Sequence, residues 1–133
     1  RTSSSAASDV YKRQHFVHPT VFAKTNADMK LVKEEIFGPV VCAQPFSDES
    51  LEKIAEEANN TSFGLAASVW TKDISTAHKL AAKIRAGTVW VNCHNIFDAS
   101  LPFGGYKESG WGREMGHEVL KNYTEVKAVT VNL

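Results

Sequence analysis

Two amphipathic helical segments, each bordered by short apolar runs, constrain the fold of this chain most strongly. In the segment 47–60, apolar residues at positions 51, 54, 55 and 58 fall on one face of a helix. Ser47 or Asp48 is its predicted N-cap, because acidic residues follow in the first turn. The spacing therefore predicts a helix that packs one face on a core.

A second helix is predicted in the segment 73–87. Asp73 is its predicted N-cap, and apolar residues recur at positions 74, 77, 81 and 84. Gly87 is expected at the C′ position, where a helix often ends on glycine. Short apolar runs at 40–42, 65–71 and 88–92 are predicted strands. Strands separated by helices of this length indicate parallel βαβ crossovers, so the predicted fold class is α/β.

The end of the chain carries two further predicted elements. A short helix is expected from Glu114 to about Leu120, followed by a β-branched strand within residues 124–133. A terminal strand presents an unpaired edge that favours pairing with another chain. We therefore expect a homo-oligomer, a dimer or a tetramer, joined through this strand.

The first residues differ from the rest of the sequence. Residues 1–14 are rich in serine and alanine and have no apolar periodicity, so we expect them to be a disordered, non-native leader. Residues 15–123 are then the main folded part and residues 124–133 the oligomerisation strand.

Composition excludes several classes of function. The chain has 133 residues, with 15 basic and 15 acidic side chains, so no field of one sign attracts nucleic acid or an anionic membrane. No apolar run approaches the roughly 18 residues of a membrane span. Two cysteines outside any CxxC pair suit a reducing compartment, so we expect a cytoplasmic protein.

Cys93 and His94 raise the question of a nucleophile with its base. Adjacent side chains on an extended chain point to opposite faces, so the imidazole has poor access to the thiol. We interpret Cys93 as a small packed residue, and a Cys-dependent hydrolase remains the rival hypothesis. The five histidines are scattered, so no metal site is predicted.

A glycine-rich segment with two phenylalanines follows that pair. Gly104, Gly105 and the later glycines allow a long loop to fold tightly over a site. Phe97 and Phe103 flank Leu101 in the same loop, and apolar loop residues need a reason to leave water. They either belong to the core or line an apolar pocket.

Five motifs together resemble the C-terminal part of the NAD(P)-dependent aldehyde dehydrogenases. They are "EEIFGPV", "NNTSFGLAASVWT", "RAGTVWVN", "PFGGYKESGWGRE" and "YTEVKAVTV", in that order and spacing. The resemblance covers about residues 15–133 and implies the latter part of the catalytic domain plus an oligomerisation strand. Within the family, "NCHNIFDASLPFGGYK" is most similar to the phenylacetaldehyde (arylacetaldehyde) branch.

The resemblance implies roles for six residues. Glu35 would accept hydrogen bonds from the nicotinamide ribose hydroxyls, and Phe37 would pack near the nicotinamide ring. A carboxylate is a good double acceptor for neighbouring hydroxyls, and a rigid aromatic suits a flat ring. A solvated charge before a turn is the alternative reading of Glu35. The remaining residues would line the aldehyde pocket, with Phe103 also near the cofactor: Asn95, Phe97, Leu101 and Phe103.

The implied reaction is oxidation of an aldehyde to its acid with NAD(P)+, NAD being favoured, through a thiohemiacetal, hydride transfer and thioester hydrolysis. In the family the nucleophilic cysteine, the general-base glutamate and the Rossmann domain lie upstream of the matched motifs, and Cys42 and Cys93 do not match that cysteine. We therefore predict no catalytic residue in this chain and an inactive fragment. A non-catalytic assembly module is the second alternative.

Overall fold

The computed structural model describes residues 16–47 and 50–133, which fall into two units divided at Asp48. We call 16–47 the N-terminal unit and 50–133 the C-terminal unit, and each is described by itself. The predicted leader, residues 1–14, lies outside the described residues and stays a prediction.

The N-terminal unit consists of two parallel strands and a short helix. The strands are β1 (Thr20–Ala23) and β2 (Val40–Ala43), with α1 (Lys30–Lys33) between them. Exposure alternates with period two, and Phe22 and Cys42 are half-buried partners in register. β2 confirms the predicted strand, whereas β1 was not predicted because "TVFA" is short and has no helix pattern beside it.

Two helices and a parallel strand pair form the core of the C-terminal unit. The helices are α2 (Leu51–Asn59) and α3 (Ile74–Lys83). Strand β4 (Ala66–Val69) pairs in parallel with β5 (Thr88–Val91), so α3 is the crossover of a βαβ unit as predicted. The α/β fold class is confirmed.

Side chains from both helices and from β4 make the core. Ala55, Val69 and Leu80 are buried there, and Leu51, Ile54, Ile84 and Val89 pack against them. Burial of one large aliphatic side chain stabilises a fold by about 1.5–3 kcal/mol. Leu80 was absent from the predicted helix face, while Ile74, which was included, is 65% exposed.

The helix ends differ from their predictions. Ser50, not Ser47, caps α2 by accepting a hydrogen bond from Lys53 N at 3.3 Å, and Asp48 lies outside the described residues. Asp73 caps α3 as predicted, through the Ser75 and Thr76 backbone amides. Gly87 is not the C′ residue, since α3 already ends in extended backbone at its C-cap.

Gly87 has a different role. It lies where the chain approaches another backbone, because a Cβ added there would overlap the carbonyl oxygen of Gly104. Its amide also donates to Gly64 O at 3.0 Å. Gly64 belongs to β3 (Phe63–Gly64), which pairs antiparallel with β6 (Tyr106–Lys107). Glycine is therefore required by packing rather than by helix termination.

Of the two elements predicted at the end of the chain, the helix is wrong in detail, and pairing of the strand with another chain stays a prediction. A 3-10 helix covers His117–Asn122, and Glu114 instead forms an isolated antiparallel bridge with Phe103. Residues 124–133 belong to no sheet among the described residues, so the predicted strand does not form within this single chain. A strand needs a partner ladder, and the apolar side chains of this segment, Val129 among them, are exposed.

Candidate functional site

The loop between α1 and β2 presents two of the predicted cofactor residues to solvent. Phe37 is 94% exposed, and Glu35 is exposed two residues before it. The neighbouring Glu34 pairs with Lys30 at 3.6 Å, whereas no hydrogen bond or ion pair engages the Glu35 side chain within the described part of the chain. The loop therefore offers a carboxylate acceptor and an aromatic face, the two groups that a ribose and a flat ring can use.

Predicted pocket residues come together in the C-terminal unit. The Phe97 and Phe103 rings meet edge to face, with centroids 5.1 Å apart and planes at 81°. Phe97 also packs edge to face on Trp90, with a centroid distance of 5.7 Å. Since Phe97 remains 49% exposed, these rings form an aromatic wall that is open on one side rather than a closed core.

Asn95 and Leu101 lie on the same loop but outside that ring contact. Asn95 has a left-handed backbone conformation, with φ of 58°, which turns the chain between Trp90 and Phe97. Leu101 is 62% exposed, and its amide donates to Asp98 O at 3.0 Å. Both residues are therefore close to the aromatic wall in sequence, but neither takes part in the ring contacts among Trp90, Phe97 and Phe103.

Asp98 is held in a tight side-chain turn. The Ser100 hydroxyl and backbone amide donate to Asp98 Oδ1 at 2.7 and 2.8 Å. These hydrogen bonds keep the pKa of the Asp98 carboxyl below its usual value, so the group stays ionised at neutral pH. One negative charge is therefore fixed on the loop that carries Phe97.

The glycine-rich loop is fastened back on Phe103. Phe103 and Glu114 exchange two backbone hydrogen bonds of 2.7 Å. The Arg113 guanidinium donates to the carbonyls of Gly105 and Gly112 and lies over the Tyr106 ring, 5.2 Å from its centroid. A cavity of about 270 Å³ lies under this loop, and Phe103 lines it. The loop therefore folds tightly over a cavity, as its glycines predict.

His94 does not serve Cys93 in this structure. Its Nδ1 lies 2.7 Å from the Ser68 hydroxyl, on the neighbouring strand β4. Cys93 is half-buried and free. Because the imidazole already has a hydrogen-bond partner, the geometry disfavours a Cys93–His94 dyad.

Trp90, Ser68 and Arg113 were missed by the sequence reasoning. Trp90 had a usable signal, since a tryptophan within a strand next to a pocket loop has a large ring to bury and an N–H to satisfy. Ser68 contacts His94, 26 residues further along the chain, and Arg113 contacts Gly105, 8 residues before it. No local sequence pattern indicates either contact. Within the described ranges there is no cluster of metal-binding side chains and no helix of the length and apolarity that a bilayer requires.

Comparison with known proteins decides the family. The aldehyde dehydrogenase family model matches residues 3–129. The chain belongs to the aldehyde dehydrogenase family. An aldehyde dehydrogenase of Agaricus bisporus is 53% identical over 119 residues, which cover 90% of this chain and 23% of that relative.

Two solved structures of the family show the same fold. The NAD+ complex of an aldehyde dehydrogenase from Bacillus cereus is 58% identical, with a TM-score of 0.82 over 89% of this chain and 24% of that one. A mutant of the indole-3-acetaldehyde dehydrogenase of P. syringae, in complex with NAD+ and IAA, is 43% identical with a TM-score of 0.82, over 89% of this chain and 23% of that one. The chain thus spans about a quarter of the length of these relatives.

Proposed function

We propose that this chain supplies the nicotinamide-positioning loop and one pocket wall of an enzyme that oxidises an aldehyde to its carboxylic acid with NAD+. The Phe97–Phe103 contact carries the proposal, because half-buried Phe103 lines a cavity and exposed Phe97 packs against it, in a chain of aldehyde dehydrogenase sequence. Family membership and the NAD+ complex of the Bacillus cereus relative support it.

The residues of the α1–β2 loop fit NAD+ by their chemistry. Glu35 is an exposed carboxylate that can accept from two neighbouring ribose hydroxyls, and Phe37 offers a free ring face. When bound, NAD+ accepts the hydride that leaves the aldehyde carbon. Glu35 and Phe37 would hold it in place, while Phe97 and Phe103 orient the aldehyde and keep water off its apolar side.

Glu35→Gln in a full-length enzyme that carries this sequence tests the cofactor role. The amide keeps the shape and one acceptor but loses the charge, and a hydrogen bond to a charged group contributes about 1.5–3 kcal/mol. We expect single-turnover NADH formation to slow by roughly tenfold to a hundredfold. A deuterated aldehyde should show a larger isotope effect than in the parent, because hydride transfer becomes the slow step.

Glu34→Gln is the matched control, since Glu34 is the adjacent carboxylate and is paired with Lys30. It should leave NADH formation within about threefold of the parent. Ester hydrolysis without cofactor should likewise stay within about threefold in Glu35→Gln, because no ribose is held in that reaction. Equal loss of both activities would mean that Glu35 supports the fold rather than the cofactor.

We propose an arylacetaldehyde as the substrate class. The aromatic wall favours a flat apolar substrate, and the similarity to an indole-3-acetaldehyde dehydrogenase supports this choice. Phe97→Ala should reduce kcat/KM roughly tenfold to a hundredfold for phenylacetaldehyde and much less for acetaldehyde. The fixed negative charge of Asp98 instead favours a cationic substrate, such as a quaternary-ammonium aldehyde. A measured preference for quaternary-ammonium aldehydes over arylacetaldehydes would overturn the aryl assignment.

A second candidate function is assembly through residues 124–133. The apolar side chains of Val126 and Leu133 are fully exposed, and the segment is rich in β-branched residues, which favour strands. We propose that it pairs with a second copy in a dimer or tetramer of a cytoplasmic enzyme. Sedimentation of the protein with and without residues 124–133 tests this, and an unchanged assembly state would contradict it.

We also propose that the 133-residue chain alone oxidises no aldehyde, because it spans about a quarter of its relatives. NADH formation by the purified chain would contradict that statement.

A further inference from the structure

Trp90 is the one large aromatic side chain that is buried within the described ranges, at 9% exposure. It lies on β5 opposite Ser68 of β4, and its indole N–H donates to the carbonyl oxygen of Ile96 at 2.7 Å. That carbonyl immediately precedes Phe97 in the chain. A rigid strand is thereby tied to the residue that orients the aromatic wall.

Ring contacts fasten the same loop on either side of this hydrogen bond. Trp90 packs edge to face against Phe97, with planes at 89°. It also packs against His94, at 5.2 Å between centroids, and Ser68 holds that imidazole at 2.7 Å. The indole therefore contacts the loop before and after the left-handed turn at Asn95.

Few other contacts fix this stretch of loop. Ile96 is 64% exposed and Phe97 is 49% exposed, so no other part of the described chain covers the solvent side of these two side chains. An exposed loop that depends on few contacts moves easily when one of them is lost. Within the described chain, the hydrogen bond from the indole N–H is the one that holds the Ile96 backbone.

We propose that Trp90 is a positioning residue for the aldehyde pocket: its indole N–H sets where the Phe97 ring stands. This inference rests on the proposed function, in which Phe97 lines the pocket. Trp90 does not contact the aldehyde itself. Its loss should therefore alter the fit of large substrates and spare those too small to reach the wall.

Two variants of the full-length enzyme separate the N–H from the ring. Trp90→Phe removes the donor and part of the ring, and site-specific replacement of Trp90 by 3-benzothienylalanine removes the donor while keeping the bicyclic shape. A neutral hydrogen bond contributes a factor of about two to ten. We expect KM for phenylacetaldehyde to rise about threefold to tenfold in both variants, with kcat and the acetaldehyde KM changed less than twofold.

Trp70→Phe is the matched control, because Trp70 is 67% exposed, and it should leave all of these constants unchanged. Proton exchange adds a readout that does not depend on activity. Of the three tryptophan indole protons in ¹⁵N-tryptophan spectra of this chain, that of Trp90 should exchange most slowly, because the Trp70 and Trp111 rings are 67% and 98% exposed.

The outcomes distinguish this inference from the function on which it rests. If the parent enzyme is active but the 3-benzothienylalanine variant loses turnover equally with both aldehydes, or retains the parent KM for phenylacetaldehyde, the positioning role is wrong. Exchange of the Trp90 proton as fast as that of Trp111 would also overturn it, whatever the activity. A parent enzyme that oxidises no aldehyde overturns the proposed function instead.

Discussion

The two units of the chain differ in how they hold their site residues. In the N-terminal unit, Thr25 is the one buried residue among those described, so the loop with Glu35 stands on a pair of strands with little core. In the C-terminal unit, five apolar residues are buried, and Trp90 joins that interior to the aromatic wall. The buried residues of the C-terminal unit can thus keep the aromatic wall rigid, whereas the described N-terminal unit has no comparable core beneath the loop that carries Glu35.

Truncation of the core should give the largest effect. Leu80→Ala leaves a cavity between α2, α3 and β4 and should lower the free energy of unfolding by about 2–5 kcal/mol. In the N-terminal unit, Val41→Ala removes a side chain that is 59% exposed and should cost less than about 0.5 kcal/mol. Urea unfolding followed by circular dichroism measures both changes. Equal losses would contradict the contrast between the units.

Glycine substitutions sharpen the contrast at the level of the backbone. Gly87→Ala forces a methyl group against the Gly104 carbonyl, which is backbone and cannot rotate away. Overpacking of this kind destabilises by about 1–3 kcal/mol. Gly38→Ala meets no atom within 4 Å and should change the unfolding midpoint little. A tolerated Gly87→Ala would show that the loop between β5 and β6, which carries Gly104, can shift away from Gly87.

The smallest effect concerns helix capping and depends on pH. The Thr76 hydroxyl and the Ser75 and Thr76 amides lower the pKa of the Asp73 carboxyl below its ordinary value of 3.8. The charged cap therefore stabilises the fold above that pH, and its contribution is lost as the pH falls through the lower, folded-state pKa. By contrast, the N-cap of α1 is Met29, which makes no side-chain hydrogen bond.

Asp73→Asn retains a capping side chain without the charge. Its urea midpoint should fall short of the parent's at neutral pH, and the two midpoints should converge only as the pH falls through the folded-state pKa of Asp73, which lies below 3.8. A constant difference between the two proteins across this range would show that the charge contributes nothing.

Much of the fold was predictable because its signals are local. Helices α2 and α3, the cap at Asp73 and the parallel crossover follow from residues within a few turns of one another. The errors share a different cause. Glu114 looked helical, but its amide and carbonyl pair with Phe103 across the loop, and no local pattern encodes a partner eleven residues away.

The candidate site divides in the same way. Phe97 and Phe103 were recognisable as apolar residues in a glycine-rich loop, and the structure brings their rings into contact. Family resemblance, rather than spacing, suggested Glu35 and Phe37, whose roles remain a proposal. The partner of the Trp90 indole N–H could not be predicted, because it depends on the turn at Asn95, where asparagine rather than glycine adopts a positive φ.

The parallel crossover also has a consequence for the order of folding. β4, α3 and β5 occupy one continuous stretch of chain, so their contacts are local and can form early. The β3–β6 pair instead closes a loop that contains the whole crossover, and the closure entropy of that loop must be overcome before its contacts stabilise anything. As a ribosome releases the chain from its N-terminus, β6 and Arg113 emerge after the crossover is complete. The scaffold of the pocket is therefore assembled before the loop that closes over it.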